Sequence, residues 1–111
     1  MRRINLAKYK VQVVGPEGAK GDDYDVRGSL VALLLAPALQ LNGAELRRNG
    51  KIADKVETCP GDTLALEETE YKPLEEAMEK CRGFGKNDRE LVERVLGAEA
   101  FDPNATPDAG A

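Results

Sequence analysis

Residues 41–58 read LNGAELRRNGKIADKVET, and the fold depends on whether this stretch forms a helix or a β-hairpin. Asn42 followed three positions later by Glu45 is the pattern of a capping box at the start of a helix. Apolar side chains then recur at spacings that place them on one helical face: Leu46, Ala53 and Val56. These features predict a helix over residues 43–57.

The dipeptide Asn49-Gly50 favours a different structure for the same stretch. It is the pair most typical of a two-residue β-turn, because both residues tolerate the positive φ angles that such turns require. It would join residues 44–48 to residues 51–56 as two short strands. We therefore keep the hairpin as the alternative to the helix.

The N-terminal segment alternates between apolar and polar residues, as a half-buried strand does. In residues 7–14 the apolar side chains fall at every second position: Tyr9, Val11 and Val13. Residues 15–21 have the composition of a turn, and the alternation resumes over residues 22–27. The pattern predicts a β-hairpin that directs Tyr24 and Val26 inward.

A helix is predicted directly after this hairpin. Ser29 is placed to cap it, and residues 30–35 are apolar on every side, which indicates a buried helix. Pro37 limits its length, because proline disrupts a regular helix. We expect the N-terminal hairpin to pack against this helix.

The C-terminal half contains a short strand and two further helices. After a turn at residues 59–62, Leu64 and Leu66 indicate the strand. Thr69 is expected to cap a helix over residues 70–82, which Gly83 ends. Its apolar stripe comprises Tyr71, Leu74, Met78 and Cys81.

The last helix is predicted from a second capping box, Asn87 with Glu90. Its apolar face comprises Leu91, Val92, Val95 and Leu96. The elements together predict a single α+β domain over residues 1–97: an N-terminal β-hairpin, a buried helix, a short third strand and a C-terminal helical hairpin. Residues 98–111 are predicted to be a disordered acidic tail.

The composition argues against most kinds of active site. The 111 residues include no histidine, which excludes His-based triads and His metal ligands. Cys59 and Cys81 form no CxxC motif, and two thiols without histidine do not make an ordinary zinc site. We expect a protein that is not an enzyme and that uses no cofactor and no metal.

Charge and hydropathy limit the classes of partner that the chain is expected to bind and the compartment in which it is expected to lie. Residues 1–55 carry +4 and residues 56–111 carry −8, which gives the net charge of −4. An acidic chain is a poor match to nucleic acid, since nucleic-acid-binding domains usually present a basic face. The sequence contains no apolar segment typical of a signal peptide or a membrane span. These observations predict a cytoplasmic protein with reduced thiols and without membrane contact.

Two features are candidates for contact with a partner. Phe84 lies between two glycines in a loop, and aromatic side chains presented in this way are enriched at binding hot spots. The alternative is that Phe84 folds back as the hydrophobic contact of the helix C-cap. Arg47, Arg48 and Lys51 form the compact basic cluster of the sequence, which suits an acidic partner or is simply a solvated surface.

Two segments, NGK at residues 49–51 and PGDTLAL at residues 60–66, together resemble a pattern found in ubiquitin-like β-grasp domains and ribosomal-type RNA-binding modules. That resemblance implies a β-grasp core followed by two C-terminal helices. It also implies an RNA-binding or carrier function that would use the basic cluster.

A second resemblance covers residues 9–97 more broadly. The segments at residues 24–30, 66–71, 83–88 and 90–96 resemble those of small uncharacterised proteins encoded by phages and prophages. This resemblance implies an accessory protein, in the host cytoplasm or the virion, that contacts a phage or host protein or associates with itself. The implied role is in particle assembly or host interaction.

A third possibility rests on the acidic half of the chain. An acidic phage protein can inhibit a host defence nuclease by occupying its basic groove. The residues that would do so are Glu67, Glu68, Glu75, Glu76 and Glu79.

Overall fold

The computed structural model describes residues 1–16 and 18–101. It has an α+β fold with four strands and four helices among those residues. The strands are β1 (Arg2–Asn5), β2 (Tyr9–Gly15), β3 (Gly18–Tyr24) and β4 (Thr63–Leu66). The helices are α1 (Val26–Leu34), α2 (Gly43–Thr58), α3 (Glu68–Lys80) and α4 (Arg89–Leu96), with single 3₁₀ turns at Pro37–Leu39 and Lys86–Asp88.

The stretch on which the fold depends forms a helix, α2, over Gly43–Thr58. The Asn42 side chain accepts a hydrogen bond from the Glu45 amide at 2.9 Å, and the Glu45 carboxylate accepts one from the Asn42 amide at 3.2 Å. Asn49 and Gly50 lie inside α2, so the hairpin alternative for this stretch is wrong. A helix is favoured here because it satisfies both capping bonds and buries one continuous face, which comprises Asn49, Ile52, Ala53 and Val56.

The strands form two separate antiparallel sheets of two strands each. β2 pairs with β3 as the predicted N-terminal hairpin, with Gly15 opposite Gly18. β1 pairs with β4, with Ile4 opposite Leu64, and the sequence patterns predicted no strand in this N-terminal segment. The β-grasp core kept as the alternative is therefore not formed in the described part of the chain.

The core lies between the β1–β4 sheet and the four helices. Nearly all of its buried side chains are aliphatic, and the largest of them come from every layer: Ile4, Leu6, Leu30, Leu34, Leu64, Leu66, Leu74 and Leu91. Asn49 is the one polar residue that is buried among those described. The short third strand and the C-terminal helical pair are confirmed.

α1 begins earlier than predicted. Asp25, not Ser29, caps it, because its carboxylate accepts a hydrogen bond from the Gly28 amide at 3.0 Å. A side chain at Gly28 would meet this carboxylate, since a Cβ there would lie 2.3 Å from an Asp25 oxygen. Val26 is buried as the first residue of α1 and not as part of a strand. The helix ends before Pro37, as predicted.

The packing of α1 also differs from the prediction. The helix is not buried on every side, since Ala32 is exposed and Leu35, just beyond its end, is 38% exposed. α1 packs mainly on α2, and within the described residues the β2–β3 hairpin does not pack broadly against it. The hairpin instead attaches near the start of α4.

One predicted helix boundary and three predicted apolar stripes need correction. α3 begins at Glu68 with Glu67 as its cap, and Thr69 lies within it. Its apolar stripe is buried as predicted up to Met78, but Cys81 lies past its end and is half-buried. Leu46 and Leu96 are exposed, although both were predicted to be apolar-face residues.

The chain remains packed beyond Gly97, where the predicted domain ended. Ala98 is buried, and Ala100 forms an isolated bridge with Arg2. The N-terminal ammonium of Met1 donates to the Phe101 carbonyl at 3.0 Å, and the Phe101 amide donates back to Met1 at 2.7 Å. The predicted tail therefore begins with residues that contact β1, and its remainder, 102–111, lies outside the described residues.

Candidate functional site

The basic cluster predicted from the sequence lies in one groove. Because Arg47, Arg48 and Lys51 follow each other at spacings of one, three and four along α2, the helix turns them to adjacent positions on its outer surface. They line an open groove of about 680 Å³ between α2 and the first turn of α3. Its other residues are Ala44, Ile52, Thr69 and Glu70.

The three cations of this groove have no carboxylate partner in the described part of the chain. Their one side-chain hydrogen bond runs from Arg48 Nε to the Asn49 amide oxygen at 3.2 Å. The next cation along the helix, Lys55, contrasts with them, since its ammonium lies 2.9 Å from a Glu70 carboxylate oxygen. The groove therefore presents three exposed positive charges that the fold does not neutralise.

Glu70 is the acidic residue among those that line the groove. Burial by itself would raise the pKa of Glu70, but the hydrogen bonds from Lys55 and from the Glu67 amide outweigh it, so that the pKa lies below its usual value. Glu70 is consequently ionised at neutral pH and already paired. An acidic ligand would be attracted to the three cations Arg47, Arg48 and Lys51 and not to Glu70.

Phe84 lies apart from this groove. It follows Gly83, which adopts a positive φ of 93°, in the loop between α3 and α4. Its side chain is 41% exposed and is not a member of the hydrophobic core. The structure thus presents Phe84 at the surface, and it does not bring the aromatic and the basic candidates into one site.

A second groove was not predicted from the sequence. It has a volume of about 480 Å³ and lies between the outer edge of β2 and the start of α4. Its walls carry Tyr9, Lys10, Gln12, Lys86, Arg89 and Glu93, among others. Residues from positions about 75 apart in the chain meet here, so periodicity along the chain carries no signal for it.

Two tyrosines hold the hairpin beside this second groove. The rings of Tyr9 and Tyr24 stack with their centroids 4.7 Å apart. Tyr9 donates to the Asn87 carbonyl at 2.7 Å, and Tyr24 donates to the Asp88 carboxylate. Burial, followed by this bond to Asp88, raises the pKa of Tyr24 to about 12.

The described residues hold no cluster of three or more Cys, Asp or Glu side chains that could bind a metal ion. Cys59 and Cys81 are both free thiols. Among the helices described, none is both long and apolar enough to cross a bilayer.

Comparison of the chain with protein-family models, with curated proteins and with solved structures finds no match in any of the three.

Proposed function

We propose that this protein is a non-enzymatic binding protein that contacts an acidic segment of another protein through the groove between α2 and α3. The observation that carries this proposal is the presence in one groove of three exposed cations that have no carboxylate partner among residues 1–16 and 18–101. Arginine and lysine at such a surface attract carboxylates, and arginine can bind them through two parallel hydrogen bonds.

The surroundings of the groove favour a peptide over a small metabolite. The groove is open, and apolar surface from the exposed Ala44 lies beside its cations. Small-molecule sites are usually enclosed and bury most of the ligand. An extended acidic segment can place its carboxylates on Arg47, Arg48 and Lys51 and a small apolar side chain on Ala44.

The setting that we propose is that of a phage or prophage protein acting in particle assembly or host interaction. This setting rests on the sequence resemblance alone. Phe84 is proposed as a separate, apolar contact with the same or another partner, because it is exposed on a loop outside the core.

RNA is the competing ligand for the same cations. The helical structure of α2 removes the β-grasp resemblance as an argument for RNA, and the net charge of −4 opposes phosphate binding. Inhibition of a basic nuclease by the acidic half of the chain is a further alternative. It would use the glutamates of α3 and its cap, and not the basic groove.

The test is a titration of the protein with an oligoglutamate peptide and, separately, with a single-stranded RNA oligonucleotide, monitored by backbone amide shifts. We expect the peptide to shift amides of Arg47, Arg48 and Lys51, with affinity that falls as salt is raised. The variant R47E/R48E/K51E should bind at least about tenfold more weakly, since three exposed charge pairs are lost.

A matched variant separates a specific groove from net charge. K8E/K72E/R82E makes the same change in charge at exposed positions outside the groove, and it should bind the peptide nearly as well as the wild type. Equal losses in both variants would contradict the groove as the site. Tighter binding of the RNA than of the peptide would favour the nucleic-acid alternative.

A further inference from the structure

The outer edge of β2 presents backbone groups that pair with no other strand in the described structure. The side-chain amide of Asn87 donates a hydrogen bond to the Gln12 carbonyl at 3.0 Å. This carbonyl therefore points away from β3 and into the second groove. Backbone groups alternate in direction along an antiparallel strand. The N–H and C=O groups of Lys10, two residues earlier, therefore face the same groove.

The pairing within the hairpin agrees with this orientation. Gln12 lies opposite Gly21, and because its carbonyl points outward, the alternation makes Tyr9 and Val11 the residues that bond across to β3. Lys10 and Gln12 are left with outward backbone groups. Exposed strand edges of this kind can pair with an additional extended chain.

The opposite wall of the groove carries positive charge. Lys86 and Arg89 are exposed, and neither lies within ion-pair distance of a carboxylate in the described part of the chain. Glu90 is paired with Arg94 at 2.8 Å, and Lys10 is paired with Asp23 at 2.6 Å. Glu93, one helical turn beyond Arg89 on α4, is the remaining acidic residue that lines this groove.

We propose that the outer edge of β2 accepts an extended acidic segment of a partner protein as an added strand. The backbone of the segment pairs with the N–H and C=O groups of Lys10 and with the N–H of Gln12. Its carboxylates face Lys86 and Arg89 across the groove. This mode gives affinity through main-chain hydrogen bonds and selectivity through side chains at alternate positions.

This surface is distinct from the one in the proposed function. It uses backbone groups of a strand and cations near the start of α4, whereas the α2–α3 groove uses side chains of a helix. R47E/R48E/K51E is therefore expected to leave strand addition unchanged. Failure of one proposal does not imply failure of the other.

The direct experiment uses a short peptide that alternates valine and glutamate as the probe. We expect it to shift the amides of Lys10, Gln12, Lys86 and Arg89 and to slow amide hydrogen exchange at Lys10 and Gln12. The same peptide methylated on alternate backbone nitrogens keeps its charge but loses main-chain donors. It should bind at least about tenfold more weakly.

Protein variants separate main-chain pairing from charge. K10P removes the outward N–H of β2 while the bonds across to β3 come from neighbouring residues, and proline is tolerated on strand edges. K10M removes the same charge and keeps the N–H. We expect K10P to abolish binding and K10M to retain most of it, whereas K86E/R89E should lose about fivefold or more.

Three results would overturn the proposal. They are the absence of binding to wild-type protein, equal binding of the methylated and unmethylated peptides, and shifts confined to α2. The comparison of the two peptides needs only wild-type protein, so it decides the question even if K10P does not fold.

Discussion

The α1–α2 pair and the β2–β3 hairpin are both antiparallel pairs of elements, but the rest of the fold holds them very differently. α1 and α2 bury their facing side chains and exchange polar contacts inside the protein. Asn49 of α2 donates to the Leu34 carbonyl at the end of α1 at 2.9 Å. Arg27 of α1 donates to carbonyls at the end of α2 and just beyond it: Val56, Cys59 and Gly61.

Each of these helices therefore supplies the polar cap that the other lacks. The last carbonyls of a helix have no partner within it and must be satisfied from outside. A cationic side chain is also favoured there by the helix dipole. Because both caps come from the neighbouring helix, the two ends are satisfied only when the pair is assembled, which couples the two helices.

Within the described residues, the hairpin receives no comparable exchange of buried polar contacts. Its ladder joins two strands to each other. Its polar contacts with the segment before α4 run from Tyr9 and Tyr24 at its base and from the Asn87 side chain to Gln12 in the middle of β2. A two-stranded hairpin by itself is marginally stable in water. We infer that the hairpin opens at a lower free energy than the helical pair, which also leaves its edge available for pairing.

The largest effect is expected from N49A. Asn49 is 1% exposed, and its loss leaves the Leu34 carbonyl without a donor and creates a small cavity. We expect the free energy of unfolding to fall by about 2–4 kcal/mol, measured by urea denaturation. N87A removes a similar but exposed bond, to the Gln12 carbonyl in the middle of β2, and should cost less than about 1 kcal/mol. Equal costs would contradict the contrast between the two regions.

The next effect is expected from R27M, which keeps an unbranched side chain but removes the guanidinium. The carbonyls near the end of α2 then lose their donor, and we expect a cost of about 1–3 kcal/mol. R47M is the matched control at an exposed position of α2 and should change stability by less than about 0.5 kcal/mol. If both substitutions cost the same, the cap on α2 contributes nothing measurable.

Y24F should act locally. It removes the bond from Tyr24 to Asp88 and keeps the ring that stacks on Tyr9. We expect amide hydrogen exchange at Tyr9 and Val11 to accelerate by about three- to tenfold, with no change at the buried amides of α2. Acceleration in α2 of the same size would show that the hairpin and the helices open together.

The smallest effect is confined to alkaline pH. The pKa of Tyr24 is raised from 10.0 in the unfolded chain to about 12 in the fold. The neutral phenol is favoured in the fold, so its contribution to stability is full below pH 10 and is lost as the pH rises through about 12. Carbon chemical shifts of the tyrosine rings would follow each phenol separately. In D88A the titration of Tyr24 should move back toward pH 10, and an unchanged titration would rule out Asp88 as a cause.

Local sequence signals predicted much of the helical structure. The Asn42 and Glu45 pair marked the start of α2 because both halves of a capping box lie within four residues. The same locality made Pro37 a reliable limit for α1. The Asn49-Gly50 pair wrongly indicated a β-turn. The local preference of this pair for a turn is overridden by the burial of Asn49 against α1.

Apolar periodicity predicted which face of a helix is buried, but it did not predict how far along the helix the elements packed on that face extend. Leu46 continues the apolar stripe of α2 and Leu96 that of α4, yet both are exposed because no described element covers those turns. The two candidate grooves also differ in whether the sequence could reveal them. The basic cluster was visible because its members are close in the sequence, whereas Lys86 and Arg89 became candidates only when β2 lay beside them.

The sequence by itself determined the α+β class, the N-terminal hairpin and the compact basic cluster, since each depends on interactions within a few residues. It left both a helix and a hairpin open for the stretch that forms α2. The tertiary structure alone decided the pairing of β1 with β4, the exchange of caps between α1 and α2, and the groove beside the hairpin. These depend on contacts between residues far apart in the chain. Their free energy comes from burial and from satisfying backbone groups at helix ends, and neither leaves a pattern at any fixed spacing.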